Sequence, residues 1–287
     1  MTYQLIRQVR DDLPLRNSFM DLAKSTFDLS FQDWYKKGYW SNNYIPYCIV
    51  DHNQVVANVS VNLMDFSWRG QRRQYLQIGT VMTNEKYRYQ GLSRKLIKTV
   101  LGDWKSKVDA IYLFANDSVL DFYPKFDFIE AKEYQRQITV QPTAGDFRRL
   151  SMKSNSDRKL LQLFYKQSNP YSAFSMDDNY GLLMFYCDGF LRNNLYYSER
   201  NQVIVVAEQD ESIFTCWDVF GSTQHSLQAI LSQLVSKETT VQLGFTPVIK
   251  DLQFHVREEN DETLFVYRTA ENLFSDKKLM FPLLSHA

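Results

Sequence analysis

The stretch from residue 74 to residue 104 changes its periodicity once, and that change limits what the chain can fold into. Residues 74–83 read as a strand. Leu92, Leu96, Val100 and Trp104 then recur every four positions, with Ile97 and Leu101 beside them. That spacing predicts a helix of about four turns, starting near Gln90. The continuous apolar run Ala110-Ile111-Tyr112-Leu113-Phe114-Ala115 follows at once. It reads as a buried strand lying parallel to the first, because a strand–helix–strand unit of this length closes a parallel pair.

Around this unit the patterns are mostly antiparallel. Pro14 suits a first helical turn, and Leu15, Phe19, Leu22, Ala23 and Thr26 then share a face. A short aromatic helix around Phe31, Trp34 and Tyr35 stops at Gly38. Residues 44–50 and 55–64, joined by the polar turn Asp51-His52-Asn53-Gln54, predict a meander that continues through Gly70 into the strand 74–83. A short helix over 117–123 ends at Pro124, and a strand is predicted over 128–140.

The stretch Gln141-Pro142-Thr143-Ala144-Gly145 is rich in turn formers. With 287 residues available, it predicts two domains, 1–140 and 141–287. The second half reads as a helix over 158–165, strands over 201–207 and 212–220, a helix over 224–235, and strands over 240–245 and 264–267.

The loop 88–93, Arg88-Tyr89-Gln90-Gly91-Leu92-Ser93, has the make-up of an anion site. First-turn N–H groups of a helix have no intrahelical partners and face outward at the positive end of its dipole. Small residues let a phosphate reach that main chain. Gly79, inside the preceding strand, suggests a bulge that frees further main-chain groups nearby.

In this context residues 81–93 resemble the acyl-coenzyme A motif of the GNAT superfamily of N-acetyltransferases, Gln/Arg-x-x-Gly-x-Gly/Ala, with Ser93 at the last small position. Asn116 through Phe128 resembles the family's Asn…Phe-Tyr-x-Lys-x-Gly-Phe segment, with Asp127 where glycine is usual. The resemblance covers roughly residues 1–140. It implies an α+β fold with a central, mostly antiparallel sheet splayed at a parallel strand pair.

The resemblance also implies roles. Main-chain groups of Val81, Met82 and Thr83 would pair with the pantetheine arm of acetyl-CoA. Amides of Arg88, Tyr89, Gln90, Gly91, Leu92 and Ser93 would hold the pyrophosphate. Asn116 would touch the donor, and Tyr123 would protonate the departing thiolate. By type, Asp65, Glu85, Asp121, His52 or an ordered water are open as general base.

In the second half, residues 214–225 repeat the strand-to-helix order without the phosphate-loop spacing. A degenerate, smaller GNAT-like α+β domain and an unrelated cap both remain open. The apolar tail 279–287 should dock somewhere. Bacterial GNAT enzymes of the enhanced-intracellular-survival group imply that the Ala287 carboxylate, or His286, reaches the acceptor site as a base. Packing against the second domain is the other reading.

Lysine plus arginine equals aspartate plus glutamate at 33 each, which gives no reason to expect nucleic acid or a membrane as partner. The start of the chain lacks the pattern of a signal peptide, and no apolar stretch approaches the roughly 18 residues of a membrane span. Cys48, Cys187 and Cys216 make neither a disulfide framework nor a metal pattern, so no metal and a cytoplasmic location are expected.

The expected function is transfer of an acetyl group to a primary amine, the acceptor being a small molecule or a peptide. An acyl-CoA-binding sensor and an aminoacyl-tRNA-dependent tandem transferase are the competing classes. The balanced charge and intact phosphate loop count against the transferase.

Overall fold

The computed structural model describes residues 3–210, 213–268, 274 and 277–287. The first part of the chain runs β1 (Gln4–Arg7), α1 (Leu13–Phe27), α2 (Gln32–Lys36), β2 (Tyr44–Asp51), β3 (Gln54–Trp68), β4 (Gln71–Thr83), α3 (Leu92–Trp104), β5 (Ala110–Ala115), β6 (Phe128–Glu130) and β7 (Tyr134–Val140). The rest runs β8 (Arg148–Arg149), α4 (Asn155–Tyr165), β9 (Ser172–Asp177), α5 (Tyr180–Phe185), β10 (Leu195–Ser198), β11 (Val203–Asp210), β12 (Ile213–Gly221), α6 (Leu227–Leu231), β13 (Thr239–Leu243), β14 (Thr246–Pro247), β15 (Phe254–Val256) and β16 (Thr263–Tyr267). No helix among the described residues is long and apolar enough to cross a membrane.

One sheet has the order β1-β2-β3-β4-β5-β16-β6, with β9 on β3 and β14 on β9. Its pairs are antiparallel except β4 and β5, which run parallel from Tyr75↔Ala110 to Ile78↔Leu113. The period-two pattern of β2 divides its side chains between two helices. Tyr47 and Ile49 pack with Leu92, Leu96, Ile97, Val100 and Leu101 of α3. Cys48 and Val50 pack with Leu15, Phe19, Met20, Leu22 and Ala23 of α1 on the opposite face. Asp12 starts α1 by accepting from Leu15 N at 3.0 Å, and Pro14 sits in its first turn as expected.

The other sheet has the order β15-β7-β13-β12-β11-β10-β8, again with one parallel pair, β12 with β13. Apart from the short β14, which joins the other sheet, the order β12–α6–β13–β15 repeats β4–α3–β5–β6, so the second half is GNAT-like in its order of elements. The strand beside each parallel pair is exchanged. β16, late in the chain, inserts between β5 and β6, and β7, early in the chain, inserts between β13 and β15.

This exchange corrects the expectation of one strand over 128–140. The strand breaks at residues 131–133, where Ala131 N still donates to Leu264 O of the first sheet and Tyr134 N already donates to Leu279 O. Glu133, buried at the break, accepts from Phe281 N at 2.7 Å. The helix expected over 224–235 is also shorter. Ser226 caps it, but Ser232 O accepts from Thr143 N, and the chain turns away after Leu231. We propose a first lobe built mainly by residues 1–140 and a second built mainly by 141–287, with strands crossing in both directions.

In the second lobe Asp218 is buried, accepting from Asn169 Nδ2 at 2.6 Å and from Val219 N at 2.9 Å. Burial outweighs these bonds and pushes its carboxyl up to about 7. The native state therefore holds a proton that the unfolded chain has lost above its ordinary value of 3.8. Its stabilising contribution is complete below that value and disappears as pH rises to about 7, at most ~4 kcal/mol. Thermal melts across this window should fall with pH more steeply for the wild type than for Asp218→Asn; parallel curves would refute the assignment.

Candidate active site

A cavity of about 1260 Å³ lies along the open edge of β4 and reaches both lobes. It exceeds the roughly 300–1,000 Å³ of a single small-molecule pocket and has room for two substrates.

Its first wall is the strand-to-helix loop. Asn84 accepts from Lys86 N and starts a turn of 3₁₀ helix, Glu85–Tyr87. Tyr89 (φ +63°) and Gly91 (φ +74°) are both left-handed, and α3 begins at Leu92. Glycine meets that requirement at 91 at no steric cost, whereas Tyr89 meets it fully exposed. Alternating left-handed residues turn successive N–H groups toward one concavity, and the α3 dipole adds to the same positive potential. Ser93 Oγ and Thr83 Oγ1 lie 2.8 Å apart, tying the helix start to the end of β4.

The second wall is β4 itself. Its pairing with β5 ends at Ile78↔Leu113, and beyond that point no ladder joins the two strands among the described residues. On the β3 side the register slips between Asn58↔Met82 and Ser60↔Gly79. Thr80 takes a left-handed φ of +48° at this bulge, and Asn58 Nδ2 holds it by donating to Thr80 O at 2.8 Å. The main chain at 79–83 thus presents a free edge to the cavity, as an extended ligand arm requires. The bulge expected near Gly79 is present, with its strain at the next residue. Gly79 meets a different demand: a Cβ there would lie 2.6 Å from Ala287 O and 3.0 Å from Asn62 Nδ2.

The third wall is the C-terminal tail, which runs between the sheets. The Phe281 ring stacks on Tyr112 with centroids 3.9 Å apart, and Leu283 N donates to Gly244 O. Gln77, buried in β4, holds the main chain of Ala287 from both sides. Its Nε2 donates to Ala287 O at 2.9 Å and its Oε1 accepts from Ala287 N at 3.1 Å. His286 stacks on Phe114 at 4.0 Å, its Nδ1 is 3.2 Å from Glu262 Oε1, and its Nε2 is buried without a partner. Burial pushes the Glu262 carboxyl up, but the His286 contact and the Arg257 guanidinium outweigh it and bring it to about 2. Arg257 also pairs with Glu133 at 3.3 Å.

Tyr123 opens the turn Tyr123–Phe126 and lines the cavity while packing on Phe122, Phe128 and Phe265. Burial pushes its phenol up to about 12. Of the residues singled out in the sequence, Val81, Met82, Thr83, Arg88, Tyr89, Gly91, Leu92, Ser93, Asn116, Tyr123 and Ala287 all line this one cavity. Gln90 does not: its side chain turns outward and accepts from the Tyr3 hydroxyl at 2.6 Å. Nor do the base candidates Asp65, Glu85, Asp121 and His52, while of the short aromatic helix Phe31 and Trp34 line it and Tyr35 does not. Sequence reasoning missed Gln77, Asn62 and Glu262. Asn58, Ser60 and Asn62, polar at period two in a strand buried on both faces, were the available signal.

With this geometry established, residues 14–131 match the family described as Acetyltransferase (GNAT) domain. Residues 14–131 form a GNAT acetyltransferase domain. Acyl transfer is that family's chemistry. Among solved structures, the chain is similar to a probable N-acyltransferase from Enterococcus faecalis, a conserved protein of unknown function (14% identity, 93% of this chain and 73% of that one, TM-score 0.61). It is also similar to Eis1 from Mycobacterium abscessus (11% identity, 92% and 73%, TM-score 0.59). A GCN5-related N-acetyltransferase from Kribbella flavida aligns comparably (14% identity, 92% and 71%, TM-score 0.56). At these identities the likeness is one of fold, and it extends over both lobes of the chain. No curated protein matches the sequence.

Proposed function

We propose that this GNAT chain is a cytoplasmic enzyme that moves the acetyl group of acetyl-CoA directly to a primary amine. The observation carrying this reading is that one cavity unites a phosphate cradle, a free strand edge and a tyrosine that keeps its proton at neutral pH.

In the reaction the amine nitrogen attacks the thioester carbonyl, the carbon–sulfur bond breaks, and the thiolate leaves. The first lobe holds the donor: amides of the 88–93 turn on the pyrophosphate, the edge of 81–83 along the pantetheine, and Asn116 beside it. Tyr123 gives its proton to the thiolate. The proton lost by the amine passes to the Ala287 carboxyl, seated by Gln77. Holding both reactants on one splayed strand supplies the proximity such a reaction needs.

Titration with acetyl-CoA should raise the melting temperature, since a ligand at 100-fold its Kd stabilises the native state by about 2.7 kcal/mol. Free thiol should then appear when an amine is added. Absence of any shift with acetyl-CoA and longer acyl-CoAs would refute donor binding. For the tail, Gly79→Ala is expected to displace Ala287 and lower kcat at least about tenfold, since misplacing a catalytic group by about 1 Å costs up to 10²-fold. Extension of the chain beyond Ala287 should do the same, and normal turnover in both variants would remove Ala287 from the mechanism.

A further inference from the structure

The cavity continues past the transfer point into an arm that the donor does not need. Tyr44 marks its entrance, with its hydroxyl 3.0 Å from Thr80 Oγ1 at the bulge. Beyond it stand Phe27, Leu29, Phe31 and Trp34 from the first lobe, and Leu182 and Phe185 from the second. These walls meet directly, the Phe185 ring lying 6.0 Å from Phe31 and 6.1 Å from Trp34.

Two features of this arm decide what fits it. Several of the polar atoms along it are engaged within the chain. Trp34 Nε1 donates to Gly181 O, Thr26 Oγ1 to Leu22 O, and Tyr186 Oη to His286 O, while Asn179 Oδ1 caps α5 by accepting from Leu182 N. The arm also carries no charge. Among the described residues, the charged side chains around the cavity are Arg88 and Arg94 at the phosphate cradle and Asp261 and Glu262 across from it. Asp261 accepts from Asp117 N at 2.7 Å, and Glu262 is held by Arg257 and His286.

Resting on the acyl-transfer reading, we infer that the acceptor is a monoamine on an aromatic or alkyl body, and that polycationic amines are excluded. Such a body buries apolar surface against aromatic faces, and each added methylene should raise affinity about fourfold. A second ammonium in the same arm would be desolvated with no carboxylate to meet it, a large penalty.

The test compares n-propylamine to n-hexylamine, 2-phenylethylamine and spermidine, scored by free thiol from acetyl-CoA and, separately, by calorimetric binding to the full chain. We expect kcat/KM to climb about three- to fourfold per methylene and 2-phenylethylamine to exceed spermidine at least tenfold. Phe27→Asp places a carboxylate at a half-exposed position of the arm, where folding tolerates it. It should reduce that preference at least tenfold and leave the KM for acetyl-CoA unchanged. Binding of 2-phenylethylamine that Phe27→Asp weakens, without acetyl transfer, would uphold the pocket assignment and refute the acyl-transfer reading. Preferred acetylation of spermidine would overturn the inference while leaving acyl transfer intact. Neither binding nor acetylation of the apolar amines would overturn it as well.

Discussion

Replacing Tyr123 with phenylalanine should lower kcat by about 10²–10⁴-fold while acetyl-CoA binds as before. The ring itself is structural: it packs against Phe122, Phe128 and Phe265, and phenylalanine preserves those contacts. The change removes only a hydroxyl that burial holds at about 12, so the wild-type group carries its proton throughout the neutral range. Without it the thiolate must leave unprotonated or find a proton in solvent. Single-turnover rates and acetyl-CoA Kd, measured together, separate the two roles. An unchanged rate with unchanged binding would reduce Tyr123 to a packing residue, whereas donor binding with no transfer even in the wild type would favour a sensor over an enzyme.

Ser93→Asp should act on binding and stability with opposite signs. Ser93 is in the first turn of α3, beside the concavity formed by Tyr89 and Gly91. A carboxylate there complements the helix dipole and should stabilise the empty protein by about 0.3–1 kcal/mol. With the donor seated as proposed, the same charge would face the incoming pyrophosphate. Two unit charges about 4 Å apart at an effective dielectric of 20 repel by roughly 4 kcal/mol, and solvent screening lowers this to a loss of about 10²-fold in donor affinity. Melting temperature with and without acetyl-CoA reads both effects at once. A variant that melts at or above wild type yet shows no donor-induced shift is the expected result. Retention of the full shift would move the pyrophosphate elsewhere.

The geometry of the half of this cavity proposed to hold the donor was legible because it is local. A strand, a turn and a helix within about thirty residues carry most of it, and Gly91 takes the left-handed conformation the turn demands. Even there the helix begins at Leu92 and not near Gln90, since residues 89 and 91 are left-handed. The acceptor half depends on contacts no pattern announces. Gln77 and Ala287 meet across 210 positions, and Gln77 looks in sequence like any polar residue of a half-exposed strand. Gly79 carried a signal that was read as a bulge, whereas the demand on it comes from the tail. The strand over 128–140 misled for a related reason. Its residues favour extended chain throughout, and only the buried Glu133, binding Phe281 N, splits it between two sheets.

The reciprocal strand exchange has a consequence for how the protein is made. On the ribosome β7 emerges about a hundred residues before its partner β13, and β5 waits still longer for β16. Until residues 263–267 appear, the nascent first sheet carries an unsatisfied edge beside the donor cleft. Neither half can close its sheet by domain-wise folding during synthesis, so both complete together, through long-range pairings that close slowly. A chain interrupted before β13 therefore leaves two open sheets, and one interrupted before β16 still lacks the strand between β5 and β6. The first sheet is complete only once the chain has been translated through β16.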